Sequence, residues 1–162
     1  MIRKIIPWEV DVNSFSDEYV AGFLDGDGSI VATVERRPER RRFPYRVRLK
    51  INFTQHIRHM GLLAGIQKFL NDIGSLRKTS MHNLAELVIQ DRKEVRELLK
   101  RLLPFLILKE RQAKIMLAVI EIYDKATVKI RSSISEKEFA KILSLVREIR
   151  NLNSRTGGKI QL

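Results

Sequence analysis

The chain has 162 residues, 44% of them hydrophobic and 31% charged, which is an ordinary globular composition with room for one hydrophobic core. It contains no cysteine, so disulfide scaffolds, Cys-based zinc sites and thiol catalysis are excluded, and a reducing, intracellular setting is expected: cytoplasm, nucleoid or an organelle. Lys and Arg number 31 against 19 Asp and Glu, a net charge of +12, which favours an anionic partner such as nucleic acid or an anionic membrane surface.

No apolar run approaches a membrane span. The N-terminal stretch MIRKIIPWEVDV, broken by Pro7 and Glu9, is not expected to act as a signal peptide. Binding at a membrane surface calls for a basic amphipathic helix. Much of the basic excess here lies in strand-like segments instead, so nucleic acid is the expected partner and no membrane.

A helix is predicted from Asp17. Ser14 or Ser16 can cap it, and Asp17 and Glu18 lie in the first turn, at the positive end of the helix dipole. Tyr19, Val20, Ala21, Gly22, Phe23 and Leu24 are all apolar or small, so burial on nearly every side is expected. Gly22 and Gly26 are four apart and share a face. Glycine inside a helix costs about 1 kcal/mol relative to alanine, and close approach by another backbone is the expected reason. The helix is expected to stop within Asp25-Gly26-Asp27-Gly28. Two carboxylates then stand where the dipole opposes negative charge, which points to a bound cation.

Three readings of this turn compete. One is a helix C-cap with solvated aspartates and Gly28 in the left-handed region. A second is a fragment of an EF-hand loop. Register removes it: with Asp25 and Asp27 at the third and fifth loop positions, the first and twelfth would be Phe23 and Val34, which cannot ligate calcium. The third is a site with few protein ligands per chain, completed by water and substrate phosphate, as is usual for magnesium.

A strand is predicted over 29–37, with Ile30, Ala32 and Val34 on one face and Val31, Thr33, Glu35 and Arg37 on the other. A basic loop follows, bracketed by Pro38 and Pro44, in which Arg40, Arg41 and Arg42 are read as phosphate contacts. Residues 45–55 show the clearest period of two in the chain. Arg46, Arg48, Lys50, Asn52 and Thr54 share one face, and Val47, Leu49, Ile51 and Phe53 share the other. The polar face of this strand has no carboxylate, and its side-chain types read base edges and hold phosphates.

Residues 57–73 are read as an amphipathic helix ending at Gly74. Residues 76–79 and 83–90 are read as a hairpin, with Arg77 and Thr79 on one strand and Glu86 and Val88 on the other sharing its polar face. Helices are predicted over 91–103, stopped by Pro104, then over 109–125 and 135–152, the last opened by a Ser135–Glu138 capping box. The order implies an α+β domain: two antiparallel hairpins with helices on one face and the other face polar. Residues 1–153 are read as the single domain and 154–162 as a flexible basic tail.

The run Val20-Ala21-Gly22-Phe23-Leu24-Asp25-Gly26-Asp27-Gly28 resembles the nine-residue motif of the LAGLIDADG homing endonucleases, with identity at five positions. Val20 and Phe23 stand for Leu, Leu24 for Ile and Gly26 for Ala. The αββαββα order of that family's saddle-shaped core matches roughly residues 15–152. The resemblance implies a site-specific endonuclease. It would bind a long pseudo-palindromic duplex through its sheet and leave short 3′ overhangs with 5′ phosphates. Members with one motif work as homodimers, which implies contact through the motif helix, at Val20, Ala21, Gly22, Phe23, Asp25 and Gly26.

By the same resemblance Asp27 and the carbonyl of Gly26 would hold Mg2+. Mn2+ would substitute for it, and Ca2+ would support binding without cleavage. Asp25 would orient locally rather than ligate metal. Gln55 resembles the family's water-positioning glutamine. Lys109, in Pro-Phe-Leu-Ile-Leu-Lys, resembles its active-site lysine. For a third basic group, His59 takes the aligned place with Arg58 beside it. An intron RNA maturase, or a DNA regulator of the same fold, is the alternative function, and intron RNA a further candidate partner.

Overall fold

The computed structural model describes residues 11–39, 44–79, 82–128 and 134–154. The phosphate contacts expected at Arg40, Arg41 and Arg42 lie outside these residues, as does the tail beyond Ser154. Among the described residues no helix is long and apolar enough to cross a membrane.

Helix α1 spans Asp17–Asp27 and opens on Ser16, whose side chain accepts from the Tyr19 N–H at 3.2 Å. It ends at Asp27, within the stretch Asp25–Gly28 where its end was expected. Gly28 then begins strand β1 (Gly28–Arg36) with φ −107° and ψ 174°, which is extended backbone and not the left-handed cap. A Cβ at this position would lie 2.6 Å from Leu24 Cδ1 and 2.8 Å from Leu24 O. Only glycine lets the strand leave the helix so abruptly.

Strand β1 pairs antiparallel with β2 (Tyr45–His56), from Gly28 opposite Phe53 to Arg36 opposite Tyr45. Strands β3 (Ser75–Thr79) and β4 (Leu84–Ile89) form the second hairpin. The two hairpins join through β2 and β4, Ile51 opposite Ile89, giving the order β1-β2-β4-β3. Hydrophobic residues at alternate positions face the helices: Ile30 and Ala32 from β1, Leu49, Ile51 and Phe53 from β2, Ala85, Leu87 and Ile89 from β4. Complete burial of a side chain such as Phe53 stabilises by about 1.5–3 kcal/mol.

The helices over this face are α1, α2 (Met60–Phe69), α3 (Arg92–Leu102), α4 (Glu110–Val128) and α5 (Glu136–Asn153). Their apolar stripes, among them Val95, Leu98, Leu99 and Leu102 of α3 and Ile142, Val146 and Ile149 of α5, complete one contiguous core with the sheet. The α+β architecture is as expected. Helix α2 is shorter than expected: a 3₁₀ turn covers Ile57–His59, and the helix ends at Phe69. Asn71 and Asp72 follow at φ 61° and 58°, the left-handed conformation these residue types tolerate and which ends a helix. The capping box at Ser135 is present, and Asn153 at the far end of α5 donates to the Ile30 carbonyl of edge strand β1 at 2.8 Å.

Burial of α1 is one-sided, contrary to expectation. Val20, Ala21 and Leu24 are fully buried, while Gly22 and Gly26 are exposed and Tyr19 is 44% exposed.

Candidate active site and nucleic-acid interface

The face of the sheet away from the helices collects the polar side chains. Register sets Val31 beside Lys50, Thr33 beside Arg48 and Glu35 beside Arg46. Across β2, β4 and β3 it sets Asn52, Val88 and Ser75 in one row and Thr54, Glu86 and Arg77 in the next, with Thr79 opposite Leu84. The cations of β2 are not left to repel one another, because neighbouring strands supply the carboxylates that β2 lacks. Arg48 Nε lies 2.8 Å from Glu35 Oε1, and Arg37 Nη2 lies 3.4 Å from Glu35 Oε2. Asn52 Nδ2 donates to Glu86 Oε1 at 3.0 Å and to Thr54 Oγ1 at 3.2 Å, and its Oδ1 has no partner among the described residues. Asn52 and Val88 are almost fully buried and form the floor of this face, with longer side chains above them. The result is a face that mixes donors and acceptors, with Arg48 ion-paired to Glu35 and Asn52 bonded to Glu86, the kind of surface that base edges can match.

The catalytic candidates meet at one end of this face. Asp27 closes α1 and is exposed. Gln55, near the end of β2, shares the parity of Phe53 and so turns toward α1 rather than toward the polar array. Its Nε2 donates to Asp27 Oδ2 at 2.9 Å, and its Oε1 accepts from the His56 N–H at 3.3 Å, which settles the orientation of the amide.

Asp25 has a different task. Its carboxylate accepts three backbone N–H groups, from Ile107 at 2.8 Å, Leu108 at 3.1 Å and Lys109 at 2.9 Å. These donors lie in the bend that leads into α4, with Lys109 at its cap position, so Asp25 closes the entry to that helix from outside it, where the dipole favours an anion. The local orienting role expected for Asp25 has this concrete form. Lys109 Nζ donates back to the Asp25 carbonyl, which brings the ammonium to the corner occupied by Asp27 and Gln55. Burial lowers the pKa of Lys109, and the charges of Asp25 and Asp27 act against that shift.

Of the two candidates for a third basic group, His59 is exposed and starts α2 without a side-chain cap bond. Arg58 turns toward His56 Nδ1, with its backbone N–H at 3.2 Å and Nε at 3.5 Å.

No group of three or more His, Asp or Glu able to hold a metal occurs among the described residues. Because Asp25 is spent on amides, the oxygen donors left at this corner among the described residues are the Asp27 carboxylate and the last-turn carbonyl of Gly26. These are hard oxygen donors, suited to magnesium but too few to hold it alone.

The expected subunit contact is corrected in part. Val20 and Ala21 have no exposed surface and pack into this chain's own core. Phe23 and Asp25 are half-buried. The open face consists of Gly22 and Gly26, whose added Cβ atoms would meet nothing within 4 Å among the described residues, together with Tyr19. Beside α1 the Asp25 bonds also hold Ile107 and Leu108, 88% and 70% exposed. These two fall in the gap between the helices predicted over 91–103 and 109–125. Their signal was two adjacent large hydrophobic residues just before a helix.

A model of the LAGLIDADG endonuclease family matches residues 20–117, and the chain belongs to that family. It is 31% identical over 103 residues to the DNA endonuclease I-CreI of Chlamydomonas reinhardtii, covering 64% of this chain and 61% of that protein. It is 34% identical over 103 residues to the DNA endonuclease I-CvuI of Chlorella vulgaris, covering 64% and 62%. The chain thus spans about three-fifths of the length of these curated relatives. Among solved structures, the homing endonuclease I-CvuI in complex with the I-CreI target in the presence of magnesium, its DNA not cleaved, superposes with a TM-score of 0.75. Identity there is 27%, over 90% of this chain and 85% of that one. The fold is shared with the homing endonuclease I-TnaI, at a TM-score of 0.70 and 23% identity over 88% and 91% of the two chains.

Replacing Asp25 with Ala leaves the three amides of 107–109 without their acceptor. A loss of about 1–2 kcal/mol in urea unfolding is expected, with hydrogen exchange at those amides faster than in the native protein.

Proposed function

We propose that two copies of this chain form a site-specific, divalent-metal-dependent endonuclease that cuts both strands of a long pseudo-palindromic DNA duplex. The observation that carries this is the convergence of Asp27, Gln55 and Lys109 at the end of α1, beside a sheet face of ordered donors and acceptors. A protein that only bound DNA or intron RNA would have no use for an exposed carboxylate held by a glutamine and set near a half-buried lysine.

The argument for two copies is physical. Glycines at positions 22 and 26 relieve no contact among the described residues, which leaves their face open to a neighbouring backbone. A second α1 packed across a two-fold axis fits, with Ile107 and Leu108 burying their exposed surface at the same contact. The symmetry would bring the two Asp27 carboxylates together. Two such anions require neutralisation, and a pair of chains then offers twice the oxygen donors that one chain has.

Asp27 and the Gly26 carbonyl would hold magnesium, with water and scissile phosphate completing its shell. Manganese would substitute, and calcium would support binding without cutting. The bound metal supplies Lewis-acid polarisation of the phosphate and a lowered pKa for the attacking water. Water oxygen attacks phosphorus in line, the bond to the 3′ oxygen breaks, and that oxygen leaves protonated, giving a 3′ hydroxyl and a 5′ phosphate. Gln55 orients the water through an amide whose direction is already set. Lys109 places positive charge where the phosphorane-like transition state gains negative charge. Each subunit serves one strand. The sheet face, from Lys50, Arg48 and Arg46 on β2 to Arg77 and Thr79 on β3, tracks the major groove, with Glu35 and Glu86 suited to accept from base amino groups.

Three outcomes are expected. Asp27→Asn should bind duplex selected from a randomised library with native affinity and lose cleavage, as a plasmid-linearisation assay would read; continued cutting would remove the assigned role. Because burial lowers the Lys109 pKa, its ammonium loses the proton at a lower pH than an ordinary lysine. Single-turnover cleavage should therefore fall on the alkaline side, and in Lys109→Arg that fall should move to higher pH. Gly22→Leu should give a monomer in sedimentation, and a variant that stays dimeric would contradict packing through α1.

A further inference from the structure

We propose that a cavity at the start of β2 holds a phosphate of the DNA backbone at the outer end of each half-site, with Arg92 as the residue that binds it; the proposal rests on the nuclease reading above. Strand β2 runs on past its partner. Strand β4 pairs with it only from Ile51 to His56, so over residues 45–50 it has β1 on one side and, among the described residues, no strand on the other. A cavity of about 260 Å³ lies along this open edge. Arg46, Arg48 and Arg92 line it together with Tyr45, Gln90 and Tyr123, and among the described residues no Asp or Glu does.

Three guanidinium groups around one cavity repel unless anions offset them. Carboxylates from outside the cavity do so in part. Arg92 Nε lies 3.3 Å from Asp124 Oδ1, and Asp124 is shared with Arg96. Arg48 Nε lies 2.8 Å from Glu35 Oε1 but is buried without a hydrogen bond of proper angle among the described residues. A guanidinium has five N–H donors, and its fork matches two phosphate oxygens, so one contact through Nε does not use it up. The walls are already ordered: Tyr45 stacks on Phe139 with ring centroids 4.6 Å apart, and Arg92 lies over the Tyr123 ring at 5.2 Å. Arg46 and Arg48 belong to the sheet face that would meet the duplex, so DNA following that face is led to the cavity. Val47 and Gln55 are eight positions apart on β2, about 26 Å at about 3.3 Å per residue, or about eight base pairs of duplex. The phosphate held here is therefore far from the corner of Asp27 and Gln55. Arg92 stands on a helix, where the alternation of the strands gives no sign of it.

The test uses a duplex selected from a randomised library, bound without divalent metal so that it stays intact. Arg92→Ala should weaken binding to specific and non-specific duplex alike, and lower the slope of log affinity against log salt by about 0.9, the share of one phosphate. Arg96→Ala removes another partner of Asp124 but does not line the cavity, so its slope should stay native, with melting temperatures reporting the structural cost of each change. Arg92→Gln removes the charge and keeps much of the stem, and gives the same reading if Arg92→Ala fails to fold. A methylphosphonate, neutral at a single phosphate, should weaken wild-type binding at a step about eight base pairs outside the cut and cost Arg92→Ala nothing there. A native slope in Arg92→Ala, an equal loss in Arg96→Ala, or interference at that step that persists without Arg92 would overturn the proposal. So would inorganic phosphate that raises the melting temperature of the wild type but not of Arg92→Ala while no outer step responds to methylphosphonate, since the cavity would then take a free anion. Wild-type cutting of the duplex in magnesium upholds the nuclease reading by itself, so these failures would count against the cavity alone. A wild type that cuts no duplex in magnesium would overturn both.

Discussion

The carboxylate of Asp25 stands at the C-terminal end of α1 and closes the N-terminal end of α4. Three amides converge on it, and each end of the bond has a physical reason. The bend leading into α4 exposes amides with no partner in that helix, and the end of α1 is a poor place for an anion unless something outside compensates. Through this bond the two helices fix one corner of the molecule. Lys109 is carried there by its own backbone, Gly26 and Asp27 follow Asp25 directly, and Ile107 and Leu108 are turned outward beside α1. The corner that holds Asp27 and Lys109 and the open helix face therefore share one anchor.

The second constraint is Gly28. Its extended backbone passes within van der Waals distance of Leu24, closer than any side chain would permit. The strand can therefore begin one residue after the helix ends. Asp27 is left at the rim between helix and sheet, within reach of Gln55 at the far end of the paired strand. A longer connection would separate the two.

On the polar face of the sheet, pairing changed the electrostatic picture. Read alone, β2 is a row of cations that should repel. Paired, it takes Glu35 from β1 and Glu86 from β4, which hold Arg48 and Asn52 in defined directions. Fixed side chains lose less freedom on meeting a partner, which suits a surface proposed to read sequence rather than only neutralise phosphate.

Local chemistry was enough for much of this. Alternation in residues 45–55 placed the two faces of β2, Ser16 and Ser135 marked helix starts, and the nine residues from Val20 marked the family, because each depends on neighbours a few positions away. The meeting of Asp27, Gln55 and Lys109 was anticipated only through likeness: nothing in their spacing shows that they come together. What the tertiary structure decided was every relation across the chain. It set the joining of hairpins through β2 and β4, the use of Asp25 by amides more than eighty positions on, the one-sided burial of α1 and the turn of Arg58 toward His56. A sequence states which groups are present and their local period; which distant group satisfies each buried or orphaned donor is settled only when the whole core packs.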